Sequence, residues 1–270
     1  MTNIADVHDF WNQAACGEKL LLPSFDVDGF KAQSAERYRL EPYIVEFADF
    51  AGVQGLSVLE IGLGLGADHE QFAQAGARLH GIDITPRAVD ITRLRLQLQK
   101  LTSDLRVGDA EALPFADETF DLVYSWGVIH HSPDTANAAR EILRVLKPGG
   151  RFRVMVYHTW SLVGLMLWLR YGLGRGKPFI SLAEVYSAYL ESPGTKAYTC
   201  RGAEELFAGA ADVATRVELT HGDLLDSSAG QRHEGRILRT ARRFWPRWLL
   251  RRVAKRWGLF LLVSGTRPIQ

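Results

Sequence analysis

Cysteine is scarce: the 270 residues contain two, Cys16 and Cys200. Two thiols make neither a zinc site by themselves nor a disulfide framework, and their scarcity fits a reducing compartment. No His/Asp/Glu cluster stands out beyond the adjacent pair His130 and His131, so no metal is expected. The first ten residues carry no basic or apolar leader, which sets the expectation of a cytoplasmic chain. Long apolar runs are also missing. The most apolar segment, 160–173, is interrupted by Arg170 and falls short of the roughly 20 residues needed to span a bilayer. Repeats and low-complexity tracts are absent, and 47% hydrophobic with 23% charged residues is a globular composition.

Charge of either sign is nearly balanced, at a net +1, which argues against a general nucleic-acid binder. The balance hides a block. Residues 231–257 hold ten Lys/Arg and one acid, Glu234, leaving the rest of the chain at −8. Within the block, Ile237, Leu238, Ala241, Trp245, Trp248, Leu249 and Val253 fall mostly on one helical face, and Arg236, Arg239, Arg243, Arg247 and Arg251 largely on another. Such a stretch either lies on an anionic membrane or is a solvated face whose apolar side packs on the core.

What the chain does have is a strand–helix beat. Residues 1–50 read as helical, with Pro42 breaking a pattern over 35–50. Short apolar runs at 57–61, 78–82, 105–107, 120–125 and 151–156 then alternate with helical spacing at 67–75, 86–101 and 135–146. That alternation predicts βαβ units and a parallel sheet. After residue 157 the beat fails. Segments 158–200 and 222–257 read as insertions around one α/β core, with strands expected at 215–220 and 259–264.

Four places carry chemistry. Glu60-Ile61-Gly62-Leu63-Gly64-Leu65-Gly66 follows a strand and precedes a helix, so its glycines either bring backbone N–H groups close to a ligand or only make a tight turn. Asp83 ends the next strand, where a carboxylate accepts both hydroxyl protons of a ribose or caps the helix starting near Pro86. Asp109 follows the third strand, where it bonds an adenine amino group or serves a turn. The fourth strand, Phe120-Asp121-Leu122-Val123, runs through Trp126 into His130-His131-Ser132-Pro133-Asp134, at the sheet edge where open α/β folds bind ligands.

Together with the turn Leu146-Lys147-Pro148-Gly149-Gly150, these motifs stand in the order of the class I S-adenosylmethionine-dependent methyltransferases, which residues 55–157 resemble. The resemblance is nearest to small-molecule enzymes such as the ubiquinone/menaquinone-pathway C-methyltransferases. It implies a Rossmann-like α/β fold: a seven-stranded, mostly parallel sheet with a reversed terminal hairpin, a helical N-terminal segment (1–50) and inserted lid segments on a 51–270 core. It implies S-adenosylmethionine as methyl donor and S-adenosylhomocysteine as product. Glu60, Gly62, Gly64 and Gly66 would hold the amino-acid end and Asp83 the ribose. Ile84 would pack on the adenine, Asp109 and Ala110 would read its edge, and Trp126 would line the methionine side.

A base is needed only if the acceptor loses a proton. His130 and His131 are the candidates, His130 slightly ahead, unless both only shape the pocket. Tyr157 and His158 end the next strand on the same edge. The acceptor pocket is expected from 8–45 and 157–200, whose aromatics (Phe10, Trp11, Phe25, Phe30, Tyr38, Tyr43, Trp160, Trp168, Tyr171, Phe179, Tyr186, Tyr189) either cover an apolar or aromatic small molecule or are simply core. An RNA or protein methyltransferase using 231–257 is the first alternative, although no Asn/Asp-Pro-Pro-Tyr motif is present. A nicotinamide oxidoreductase is the second, although no Tyr-x-x-x-Lys occurs.

Overall fold

The computed structural model describes residues 3–226, 243 and 245–269. Its strands are β1 (Ser57–Ile61), β2 (Arg78–Asp83), β3 (Asp104–Val107), β4 (Phe120–Trp126), β5 (Leu146–Tyr157), β6 (Ala211–Glu218) and β7 (Phe260–Thr266). They form one seven-stranded sheet in the order β3-β2-β1-β4-β5-β7-β6. All neighbours run parallel except β7, which is antiparallel to both β5 and β6. This is the expected mostly parallel sheet with its reversed hairpin.

Val58, Leu59, Glu60 and Ile61 of β1 are all buried, as a central parallel strand covered on both faces requires. Alternate residues feed opposite layers. Leu59 and Ile61 pack with Val123, Ile142 and Phe152 on one side. Val58 packs with Ile44, Phe72 and Tyr124 on the other. Helices α5 (Ala67–Gln74), α6 (Pro86–Leu98) and α7 (Thr135–Val145) make the crossovers. Thr85, not Asp83, caps α6 and accepts from Ala88 N at 3.3 Å, with Pro86 in the first turn. Asp134 caps α7 through Asn137 N at 2.9 Å.

Two strands start well ahead of the sequence reading: β6 spans Ala211–Glu218 rather than 215–220. β5 begins at Leu146 rather than at 151: Leu146 pairs with Phe120, and the pairing resumes at Arg151 with Leu122. The Lys-Pro-Gly-Gly run is therefore an irregularity inside the strand, with Gly149 at φ 76° taking up the extra chain, rather than a turn before it.

The N-terminal segment forms α1 (Ile4–Gln13), α2 (Glu18–Leu21), α3 (Val27–Leu40) and α4 (Tyr43–Ala48), with Pro42 at the break. Two arginines fasten it to the core. Arg95 of α6, fully buried, donates to Glu70 (2.5 Å), Gln33 (2.7 Å), the carbonyls of Leu65 (2.9 Å) and Phe30 (3.3 Å), and Ser34. Arg37 of α3 reaches Asp68 of α5. After β5 come α8 (Leu162–Tyr171), α9 (Leu182–Tyr189) and α10 (Cys200–Leu206), and α11 (Arg247–Val253) precedes β7. Of the basic block, residues 231–242 and 244, including Ile237, Leu238 and Ala241, lie outside the described residues. No helix among the described residues is long and apolar enough to cross a membrane.

Candidate active site

The sheet order turns between β1 and β4, and a crevice opens there at the strands' carboxyl ends. A cavity of about 1160 Å³ fills it. Pockets for a small ligand run roughly 300–1,000 Å³, so this one lies just above the upper end of that range. The glycine loop forms one wall. A Cβ on Gly62 (φ 84°) would lie 2.0 Å from Val128, and one on Gly66 (φ 73°) 2.8 Å from Thr92. At Gly64 (φ 53°) a Cβ would meet nothing within 4 Å. Gly62 and Gly66 are thus required by packing, whereas Gly64 leaves an open cradle on the cavity side. Gly66 itself is not on the wall.

Glu60, Gly62, Gly64, Asp83, Ile84, Asp109, Ala110 and Trp126 all line the cavity. Glu60 is buried and lies 2.8 Å from His69 Nδ1. The Ser103 hydroxyl donates to the Leu79 carbonyl, so it accepts from His69 Nε2–H at 2.8 Å, and Nδ1 is left to accept. The remaining proton then sits on Glu60. The energetics agree: burial, then the Asp68 charge, pushes the Glu60 carboxyl well up, while burial pushes His69 down to about 3. Asp83 accepts from the N–H groups of Leu63 (2.8 Å) and Gly64 (3.4 Å) and from both N–H (2.9 Å) and O–H (2.8 Å) of Thr85. Burial nevertheless raises its pKa. Asp109 uses one oxygen on Glu111 N at 2.9 Å.

Three wall residues escaped the sequence reading of the site. Asp68, in the first turn of α5, accepts from Arg37 Nε (3.0 Å) and Nη2 (2.7 Å), from Tyr38 O–H (3.0 Å) and from Tyr124 O–H (2.8 Å). Burial would raise its pKa, but the Arg37 charge and these donors outweigh burial and hold it below the ordinary value. Glu41, 3.5 Å from Arg37, is pushed up to about 7 by burial, against the lowering charge of Arg37. Glu191 follows α9. The sequence carries weak signals for them: an acidic residue in a helix's first turn after a glycine loop, Glu41-Pro42 after Arg37-Tyr38, and a Ser-Pro-Gly-Thr turn after Glu191.

The histidine pair divides in the order opposite to the one expected. His130 is fully buried and off the cavity wall, its ring tilted 46° to Tyr157 at 4.1 Å and 4.2 Å from His131, and neither ring nitrogen has a partner among the described residues. Burial lowers its pKa far below the usual range, so it stays neutral. His131 is on the wall. Its Nδ1 meets Ser192 Oγ at 2.8 Å and Thr195 Oγ1 at 3.2 Å, and its Nε2 stands 3.4 Å from Glu191 Oε2. Thr195 donates its own proton to the Ser192 carbonyl (2.7 Å), so toward Nδ1 it only accepts. The nearer Ser192 hydroxyl can donate or accept, so Nδ1 is bonded in either tautomer, and the Glu191 carboxylate facing the buried Nε2 favours a proton there. Tyr157 O–H donates to the same Glu191 oxygen at 2.6 Å. His158 instead bonds the Gly258 carbonyl at 3.2 Å and lies off the wall.

The aromatic lid is mostly not a lid. Of the aromatics named from 8–45 and 157–200, Phe10 and Trp11 reach the cavity. Phe30 and Tyr186 are core, Tyr171 and Tyr189 stack on each other at 4.0 Å, and Phe179 is 98% exposed. The apolar wall comes from Val7, Leu21, Val163, Met166, Leu167 and Phe260.

Comparison with known proteins agrees with this geometry. Residues 59–154 match the model of a methyltransferase domain family. Over 145 residues the chain is 34% identical to a ubiquinone biosynthesis O-methyltransferase of Cereibacter sphaeroides, covering 49% of this chain and 58% of that one. Over 140 residues it is 36% identical to a demethylmenaquinone methyltransferase of Tropheryma whipplei, covering 50% and 57%. The match thus spans less than two thirds of these relatives' length. Among solved structures, the fold is similar to Haemonchus contortus phosphoethanolamine N-methyltransferase 2 in complex with phosphomonomethylethanolamine and S-adenosylhomocysteine (TM-score 0.59, 19% identity, 91% of this chain and 60% of that one).

Proposed function

We propose that this chain, whose residues 59–154 match a methyltransferase domain and resemble quinone-pathway enzymes, is a class I S-adenosylmethionine-dependent methyltransferase that methylates a small apolar or aromatic acceptor whose reacting group gives up a proton. The observation that carries this reading is the composition of this cavity. Its glycine-loop wall is polar, its far wall is apolar, and His131 stands on it beside the Glu191 carboxylate.

The residues present fit the methyl donor: Gly64 leaves a cradle that a side chain would fill, and Asp83, Asp109 and Glu60 ring it with oxygen acceptors. Gly62, Gly64 and Glu60 would hold the amino-acid end, with Gly66 fixing the loop from behind. Asp83 would hold the ribose, Ile84, Asp109 and Ala110 the adenine, and Trp126 the methionine side. When bound, the donor supplies an electrophilic methyl group, and alignment with the acceptor in a dry pocket is the protein's part. In this reading the His131–Glu191 pair takes the acceptor's proton. The Glu191 carboxylate at 3.4 Å stabilises the imidazolium that forms, while Tyr157 holds that carboxylate in place. The protein belongs at the cytoplasmic side of the cell in this reading.

The test is a partition assay. The protein is incubated with methyl-labelled S-adenosylmethionine and a small-molecule-rich extract, and label is counted in organic, aqueous, RNA and protein fractions. Label in the organic fraction is expected. Label in RNA or protein overturns the small-molecule reading, as does equal turnover of polar amines and hydrophobic phenols.

A further inference from the structure

Two segments far apart in sequence lie near the cavity, the first on its wall between Val163 and Gly174 and the second against the wall residue Leu225 through Arg247. Residues 160–180 and 245–257 together carry eight Lys/Arg and no Asp or Glu. They are stitched together where Leu162 N–H donates to the Trp257 carbonyl at 2.9 Å. Leu165 and Leu169, four apart on α8, are exposed on one face, and Leu173 just past the helix end is exposed too. Phe179 beyond them is 98% exposed, and Trp248 on α11 is 68% exposed beside Val253. Cations stand among these apolar groups. Lys177, Arg252, Lys255 and Arg256 form no ion pair among the described residues, while Arg247 and Arg251 pair with Asp226.

Exposed apolar side chains in such numbers mark a surface that is covered in use. The absence of acids selects the covering. A second copy packed on the same face would set eight cations against eight, so a symmetric pair is disfavoured. An anionic lipid leaflet supplies both an apolar layer and negative charge, and Trp, Phe and Leu beside Lys and Arg match it. The face also leads somewhere: Leu169, Arg170 and Gly174 belong to it and line the cavity. Leu225, on the cavity wall, has its carbonyl bonded by Arg247 at 2.9 Å.

We propose that segments 160–180 and 245–257 seat the chain shallowly on an anionic membrane, with the cavity wall at Leu169 facing the lipid, so that an acceptor dissolved there enters without crossing water. The seating stands on the surface alone; the entry route rests on the apolar-acceptor reading above.

The experiment is flotation of the full chain with phosphatidylcholine vesicles, with and without phosphatidylglycerol, alongside calorimetry with S-adenosylhomocysteine. Wild type is expected to float with the anionic vesicles only. A cation near such a surface is worth about fivefold in binding, so R252E/K255E is expected to weaken flotation by more than about twentyfold. L173D/F179D is expected to abolish it. None of the four residues lines the cavity, so both variants should bind S-adenosylhomocysteine as wild type does. Absence of wild-type flotation overturns the proposal, as does flotation undiminished in both variants. A concentration-dependent dimer that L173D/F179D dissolves, without vesicle binding, overturns it in favour of self-association. Normal S-adenosylhomocysteine binding in any of these cases leaves the methyltransferase reading standing, whereas flotation without it sinks that reading alone.

Discussion

Replacing Arg37 by Met removes the cation that neutralises Asp68 and leaves a carboxylate, 3% exposed at its side chain, without its countercharge. Tyr38 and Tyr124 still donate to it, so the residual charge is solvated but not balanced. Breaking one partner of a buried pair costs about 3–5 kcal/mol. For a domain of this size that is a fall in Tm of about 10 °C. The pH dependence carries the diagnosis. In the wild type the Asp68 pKa lies below its unfolded value, so its stabilisation is present above that value and disappears only as pH falls through the folded pKa. Without Arg37, burial dominates and the folded pKa rises above the unfolded one. Protonation then relieves the variant, and its deficit should shrink as pH falls from 8 to 5. Urea unfolding of both proteins at the two pH values measures this. Asp68→Asn in the Arg37→Met background should recover about 1 kcal/mol or more at pH 8. A deficit below about 1 kcal/mol, or one equal at both pH values, refutes the view that this pair fastens α3 to the core.

Gly64→Ala forces φ 53° on a residue with a Cβ and fills the cradle, so S-adenosylhomocysteine affinity by calorimetry should fall at least about tenfold while stability drops by about 1–2 kcal/mol. His131→Asn should lower kcat on a hydroxyl acceptor by about a hundredfold or more, and His130→Asn should leave kcat within about fivefold while lowering Tm; the reverse order would return the base to His130. Glu41, at about 7 when folded against 4.5, stabilises the fold fully below 4.5 and progressively less as pH rises through 7. That difference corresponds to about 3 kcal/mol, so Glu41→Gln should flatten the stability profile between pH 5 and 8, and an unchanged slope would exclude Glu41 as its source.

What the sequence made legible was whatever its local pattern determines. β1 was readable because a strand covered on both faces is mostly apolar, as Val58, Leu59 and Ile61 are, and the glycine loop because two of its three glycines are forced by close neighbours. Contacts between layers were not. Asp68 and Arg37 are 31 positions apart, and no period links them. His130 and His131 sit on one short 3-10 turn (Ile129–His131), where consecutive side chains diverge by about 120°. Which of them meets the cavity is decided by Ser192, Thr195 and Tyr157, far along the chain. Aromatic content indicated a covered chamber but not which rings cover it, since Phe179 faces outward and Tyr186 faces the core. The Lys-Pro-Gly-Gly run looked like a turn because its residues favour one; pairing on both sides of it absorbs it into β5.

The place of β7 also constrains how the molecule is made. It is the last of the seven strands in chain order, yet it lies between β5 and β6. β6 has β7 as its only neighbour in the sheet. On the ribosome, β1 to β5 can assemble as they emerge, but β6 leaves the exit tunnel with no partner, and so does the free edge of β5. Both remain open until residues 260–266 arrive, more than forty positions after β6 ends. Unpaired edges of this kind are templates for pairing with other chains. A nascent chain stalled between 218 and 260 would therefore be the species most in need of a chaperone, however stable the finished sheet.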